Sequence, residues 1–178
     1  MPILAECRVK GYHEKKKMQI LDPVTEPLCK FCKKGLLHLR DHVERHMKKA
    51  ETGEKLWCLI PRGKCTNPDC GALIRILPHG EMVPNKHYDT EAITDVLDEV
   101  ITPDSPLDYP SAQTMRRWMA WLLKNRKTIE GTLRSAGYRI LGFGEELLKS
   151  PESLLDRLRN DTDQWLSIIV QVIYNTGN

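Results

Sequence analysis

Two close pairs of cysteines constrain this chain more than any other feature. Cys29 and Cys32 stand in C-x2-C spacing, and Cys65 and Cys70 enclose the tetrapeptide TNPD. A tight turn between Cys29 and Cys32 aims both thiolates to one side. Asn67, Pro68 and Asp69 supply turn chemistry to the second pair, and Gly71 follows it. Four thiolates around a tetrahedral ion make a closed structural site with no position left for a catalytic water. Zinc is the expected ion, and iron is the alternative that such a donor set also accepts.

The spacing has a topological consequence. The 32 residues between Cys32 and Cys65 must run out and return. LLHLRDHVERHMKK, the polar turn ETGEK and LWCLIPRGKC read as two extended arms of a hairpin. A short helix over 36–48 competes locally, because Val43 is the lone β-branched residue there. A rival ligand set, Cys29, Cys32, His42 and His46, has the C-x2-C and H-x3-H halves of a zinc finger. Nine residues separate those halves where about twelve are usual, and Cys65 and Cys70 would be left without a task. Cys7 and Cys58 read as small hydrophobes, with Cys58 buried between Trp57 and Leu59.

MPILAECRVKGYHEKKK turns polar after five residues and does not read as a signal segment. The longest apolar run, WLSIIVQVIY, is far short of the ~20 residues that cross a bilayer. A cytoplasmic protein is expected, in which six cysteines serve as thiols or metal ligands rather than disulfides.

The remaining elements suggest an α+β chain: a zinc ribbon with a β-hairpin, then a small helical domain with an irregular helix-turn-helix-like unit. Residues 1–26 read as a partly ordered arm with a short strand near Met18 to Leu21, 27–84 as the ribbon, and 85–178 as the helical domain. GALIRILPHG reads as a closing strand ended by Pro78 and Gly80. A helix starts near Asp89, with Ile93, Val96, Leu97, Val100 and Ile101 at spacings of three and four. Three prolines between 102 and 110 prevent its continuation. Ser111 is expected to cap a helix over 112–125 whose inner face is Met115, Trp118, Met119 and Leu122, and a separate helix over 128–136 is closed by Gly137. Ser150 and Pro151 open a last helix that either continues or breaks near Asn160 and ends by Tyr174.

Charge is unevenly distributed. Residues 1–64 hold 15 basic and 8 acidic side chains, 65–110 hold 2 and 9, and 111–178 hold 10 and 7. Two basic regions suit phosphate contact, although an ordinary patchy surface has the same look. Candidate contacts are Arg40, Arg45, Lys48 and Lys49 on the arms, and Gln113, Arg116 and Arg117 near the start of the second helix, where base edges are usually read. Lys124, Arg126 and Lys127 would hold phosphate. The competing reading makes Arg116 and Arg117 solvent-facing residues of a helix whose Trp118 and Trp121 belong to a core. No nucleophile elbow, phosphate-cradling glycine loop or H-E-x-x-H helix occurs. Asp95, Asp98, Glu99, Asp104 and Asp108 crowd one helix and its exit without a following sheet to gather them on metal ions. A non-catalytic protein is expected, with double-stranded DNA as partner. The alternative is a zinc-stabilised protein-interaction module, which exposure of Trp118, Trp121 and Trp165 with Met115 and Met119 would favour.

Several phrases occur in a telling order: Cys29-Lys30-Phe31-Cys32, the Cys65 to Gly71 knuckle, Leu77-Pro78, Val83-Pro84-Asn85-Lys86-His87-Tyr88, and Ser111-Ala112-Gln113-Thr114-Met115-Arg116-Arg117-Trp118. In that order, over about 27 to 137, the chain resembles a bacterial family of uncharacterised function that is itself similar to transposase zinc-ribbon regions, found in Gram-positive bacteria and their mobile elements. The resemblance implies a metal knuckle and DNA binding. The second knuckle departs from the tighter C-x2-C form by two residues.

Overall fold

Both arms flanking ETGEK are strands. The computed structural model describes residues 1–50, 52–105 and 110–176. In it β4 (Leu37–Lys48) and β5 (Lys55–Cys65) pair antiparallel from Leu37↔Cys65 to Lys48↔Lys55, with a register shift between Leu39 and Asp41. Local helix propensity over 36–48 yields to this pairing, because the thiolate ends can meet only if the segment stays extended. β5 is the spine of a curled, mixed sheet. Besides β4 it holds β6 (Leu73–Pro78) antiparallel and β3 (Met18–Pro23) parallel. β1 (Ile3–Ala5) lies parallel to β6, and β2 (Cys7–His13) antiparallel to β3. Gly63 permits the close β4–β5 approach, since a Cβ there would sit 2.7 Å from the Leu37 Cβ.

Residues 1–26, read from sequence as an arm with one strand, therefore supply three strands. Ile3 and Leu4, both almost fully buried, explain the difference, because their apolar surface covers β6. The Asn175 side chain completes the edge of β1 in the manner of a strand, accepting from Leu4 N at 2.9 Å and donating to Leu4 O at 2.8 Å.

The chain divides into two compact units, Met1–Asp89 with Tyr174–Asn178, and Thr90–Ile173. The second unit is helical: α1 (Thr90–Leu97), α2 (Ala112–Leu141), α3 (Glu145–Lys149), α4 (Leu154–Asp161) and α5 (Trp165–Thr176). Where two helices were expected over 112–136, α2 runs unbroken for 30 residues. Ile129, Leu133 and Ala136 extend the buried stripe of Met115, Trp118 and Leu122, and that continuous burial outweighs the cost of Gly131, about 1 kcal/mol relative to alanine. Gly137 is not the stop. It lies within the helix, where a Cβ would meet the Phe143 ring at 2.7 Å, and the left-handed cap is Gly142 at φ 66°.

The N-cap of α4 is Ser153 rather than Ser150: its side chain accepts from Asp156 N, while the Glu130 carboxylate accepts from Leu154 N and Leu155 N. Of the two readings at Asn160 the break is found: α4 ends at Asp161 and α5 begins at Trp165. Asp98 leaves the acidic group altogether, accepting from Arg159 and from the Trp165 indole N–H. Asp108 lies outside the described residues. Among those described, no helix is long and apolar enough to cross a membrane.

Candidate metal centre

Two turns converge on one point. Cys29 and Cys32 lie on the turn that precedes β4, Cys65 is the last residue of β5, and Cys70 precedes β6. The first turn is closed by Cys29 N donating to Gly35 O and Lys33 N to Cys29 O, both at 2.8 Å, with Lys33 in the left-handed region. Asn67 organises the second: Cys70 N and Gly71 N donate to its carbonyl, and Asp69 N donates to its side-chain oxygen. Gly35 is sterically obligatory, because a Cβ would stand 2.6 Å from the Cys65 Sγ and 2.7 Å from Asn67 N.

The four Sγ atoms all lie within 4.8 Å of one another. Cys29 and Cys70 are 3.8 Å apart and Cys32 and Cys65 3.6 Å. Thiolates at the ~2.3 Å zinc bond length on tetrahedral corners stand about 3.8 Å apart, whereas a disulfide demands ~2.05 Å. The donor set therefore fits a tetrahedral ion and does not fit a bridge. Burial is apolar on the inner side, with Ile3, Leu37, Ile74 and Ile76 packed around Cys29 and Cys65.

Protonation follows from the same contacts. The amides of Gly35 and Lys34 point at Cys32 Sγ and lower its pKa to about 6, while burial pushes Cys65 up to about 12. With the Cys65 and Cys70 thiols held up and Cys32 held down, loading an ion must expel protons. Affinity is expected to rise with pH through the neutral range and to fall below about 6, where Cys32 also protonates. Proton release into a weak buffer on titration with Zn2+ measures this; loading without release would contradict it.

One buried cation at the site went unread in the sequence. Lys30, within the first turn, is 6 % exposed and donates its Nζ to Pro2 O at 3.1 Å and Tyr174 O at 3.2 Å. The knuckle is thereby fastened to residues near both ends of the described chain. The alternating K-x-x-K pattern of PLCKFCKK carries no hint of which lysine turns inward.

The rival ligand set is not assembled. His42 Nε2 lies 2.7 Å from Asp22 Oδ1, and the His46 ring stacks on His87. Burial would raise the pKa of Asp22, but its bonds to Lys10 and His42 hold it below the usual value.

Candidate DNA contacts separate into engaged and exposed groups. Arg45 turns inward and donates to the carbonyls of Val83 and Lys86. Lys48 lies over the Tyr88 ring, Lys49 is half-buried, and Arg40 is exposed beside Asp41. On α2, Arg126 pairs with Asp156 of α4. Gln113, Arg116, Arg117, Lys124 and Lys127 are all exposed, and their helical spacing sets them along one side. Trp118 and Trp165 are buried and Trp121 half-buried.

A family profile described as a domain of unknown function, DUF6431, matches residues 29–118, about half the chain. The chain belongs to this family. The DUF6431 segment begins at the first cysteine ligand candidate and ends at Trp118, so it takes in all four cysteines, β4 to β6, α1 and the first turns of α2. No curated protein and no solved structure matches the chain.

Proposed function

We propose that this chain is a non-catalytic, zinc-dependent DNA-binding protein. Cys29, Cys32, Cys65 and Cys70 hold zinc as a ribbon-type structural site, and the exposed side of α2 lies against duplex phosphates. The thiolate spacing of 3.6 and 3.8 Å carries the metal half of this reading. For the DNA half the supporting observation is the charge of α2: residues 112–129 contain five cations and no carboxylate, and Arg116, Arg117, Lys124 and Lys127 of these are exposed. Arg45 and Arg126 are left out of the interface, since one is spent on carbonyls and the other on Asp156. The likeness to transposase zinc-ribbon regions supports the same reading and a setting on mobile DNA.

Fluorescence anisotropy of the zinc-loaded protein with a mixed-sequence duplex tests it. Affinity should fall steeply with salt, and Arg116→Ala with Arg117→Ala should reduce the log–log salt slope by about 2, roughly one unit per lost phosphate contact. Absence of binding at low salt would sink the DNA half. It would favour the second reading, a protein-interaction module, for which an apolar groove of about 400 Å3 speaks, bordered by Val96, Ile101, Met115, Met119 and Leu123 of the helical unit. Buried Trp118 and Trp165 lend that alternative nothing.

A further inference from the structure

The first unit contains a second cluster that the thiolate site does not use. His46 of β4 pairs across the ladder with Trp57 of β5, their ring centroids 4.7 Å apart. His87 stacks on His46 at 4.8 Å, inclined by 16°. Trp57 keeps 39 % of its surface exposed, and His87 is exposed as well. These rings border a cleft of about 200 Å3, which Arg45 and Arg75 also line. That volume admits one aromatic ring system, below the ~300 Å3 at which drug-sized sites begin.

The electrostatics of the cleft are one-sided. Arg45 is half-buried: its Nη2 donates to two carbonyls, its Nε is buried with no partner among the described residues, and the charge of Arg75 acts against it. A cation partly withdrawn from water and held only by carbonyls favours an anion at the mouth of the cleft. Glu44, the carboxylate on the lining, is already held by Lys16 at 2.6 Å. Burial first, then His87, Lys55, Arg45 and Lys48, depress the pKa of His46, so this ring is neutral at pH 7.

We propose that this cleft binds a nucleotide, with the base stacked against Trp57 and the His46–His87 pair and the phosphate held at Arg75 in the field of Arg45. Stacking explains the rings and the phosphate explains the cations; neither alone accounts for both. The site stands on β4, β5 and β6 and the His87 segment, so it does not depend on α2 touching DNA. Two sources present the same chemistry, a free nucleotide and an unpaired nucleotide of a strand.

The test is isothermal titration of the zinc-loaded full chain with adenosine 5′-monophosphate, adenosine, inorganic phosphate and a short oligodeoxyadenylate. The monophosphate should bind at least tenfold more tightly than adenosine or phosphate. Trp57→Ala and Arg75→Ala should each weaken it by roughly tenfold or more, with Trp57→Leu and Arg75→Gln as second variants and zinc content with thermal unfolding confirming that each folds. The Arg116→Ala, Arg117→Ala variant should bind the monophosphate as the parent does, which separates failure here from failure of the α2 reading. Tighter binding per nucleotide by the oligomer identifies a strand as the source, and equal or weaker binding a free nucleotide. No binding of either at millimolar concentration, phosphate binding as tightly as the monophosphate, or indifference to Trp57→Ala would each overturn the proposal.

Discussion

Stripping the proposed zinc with a chelator, or replacing Cys29 by serine, is expected to unfold Met1–Asp89 while the helices of Thr90–Ile173 remain. Cys29 is fully buried and Cys65 5 % exposed, and both sit in one cluster with Ile3, Leu37, Ile74 and Ile76. The sulfur atoms thus occupy the place of core residues, and without an ion they leave a cluster of buried polar thiols with no ligand to hold them together. Structural zinc sites contribute about 10–16 kcal/mol, comparable with or larger than the ~5–15 kcal/mol total stability of a domain. Hydrogen exchange reads the two units separately. Amides of β4 and β5 should lose at least roughly a thousandfold in protection, which corresponds to about 4 kcal/mol, while those of α2 should hardly change. Simultaneous loss in both units would show that the metal does not act on the sheet alone.

The second large effect is expected at Trp165. Its side chain is fully buried, its indole N–H donates to Asp98 at 2.9 Å, and the Arg159 guanidinium lies 5.0 Å from its ring centroid. Asp98 also accepts from Arg159 Nε at 3.0 Å and Nη2 at 2.6 Å. Trp165→Ala removes the largest buried side chain of the helical unit and strands one acceptor site. It should cost about 3–5 kcal/mol, lowering the melting temperature of that unit by roughly 15–30 °C. Asp98→Ala should cost less, because Asp98 and Arg159 keep more than a quarter of their side-chain surface in water. The double variant should fall short of the sum, since all three groups share one network. Thermal unfolding followed by circular dichroism at 222 nm decides the matter, and a loss below about 1 kcal/mol for Trp165→Ala would remove it from the core.

What could be read from the residues depended on whether a short-range rule governed them. The hairpin was legible because paired cysteines impose a meeting point and ETGEK supplies the turn. α1 was legible because Ile93, Val96 and Leu97 keep helical period, and all three are buried; the helix ends there, short of Val100 and Ile101, and Val100 is exposed. The length of α2 was not, because Gly131 and Gly137 look alike in sequence; one faces solvent and the other makes room for Phe143. β1 escaped notice since three residues hold no period, and only the edge of β6 makes Ile3 and Leu4 a strand. Cations were the hardest to place. Arg45 and Lys30 read like their solvated neighbours, yet each is drawn inward by carbonyls supplied from distant segments, and no local pattern announces such an acceptor. Ser153 surpassed Ser150 as a cap for the same reason, because Glu130, more than twenty residues earlier, completes it.

The fastening of the first knuckle bears on how the protein is made. Lys30 reaches the carbonyl of Tyr174 across 144 residues of sequence, and Asn175 meets Leu4 across 171. A ribosome releases the cysteines, the hairpin and α2 well before those partners emerge. During synthesis the nascent sheet therefore has its thiolates but lacks the clasp behind Lys30 and the companion of β1, and domains generally settle as units while contacts this distant in sequence form late. Completion of the β1 edge thus waits for Asn175, after all four cysteines and the hairpin between them have been made.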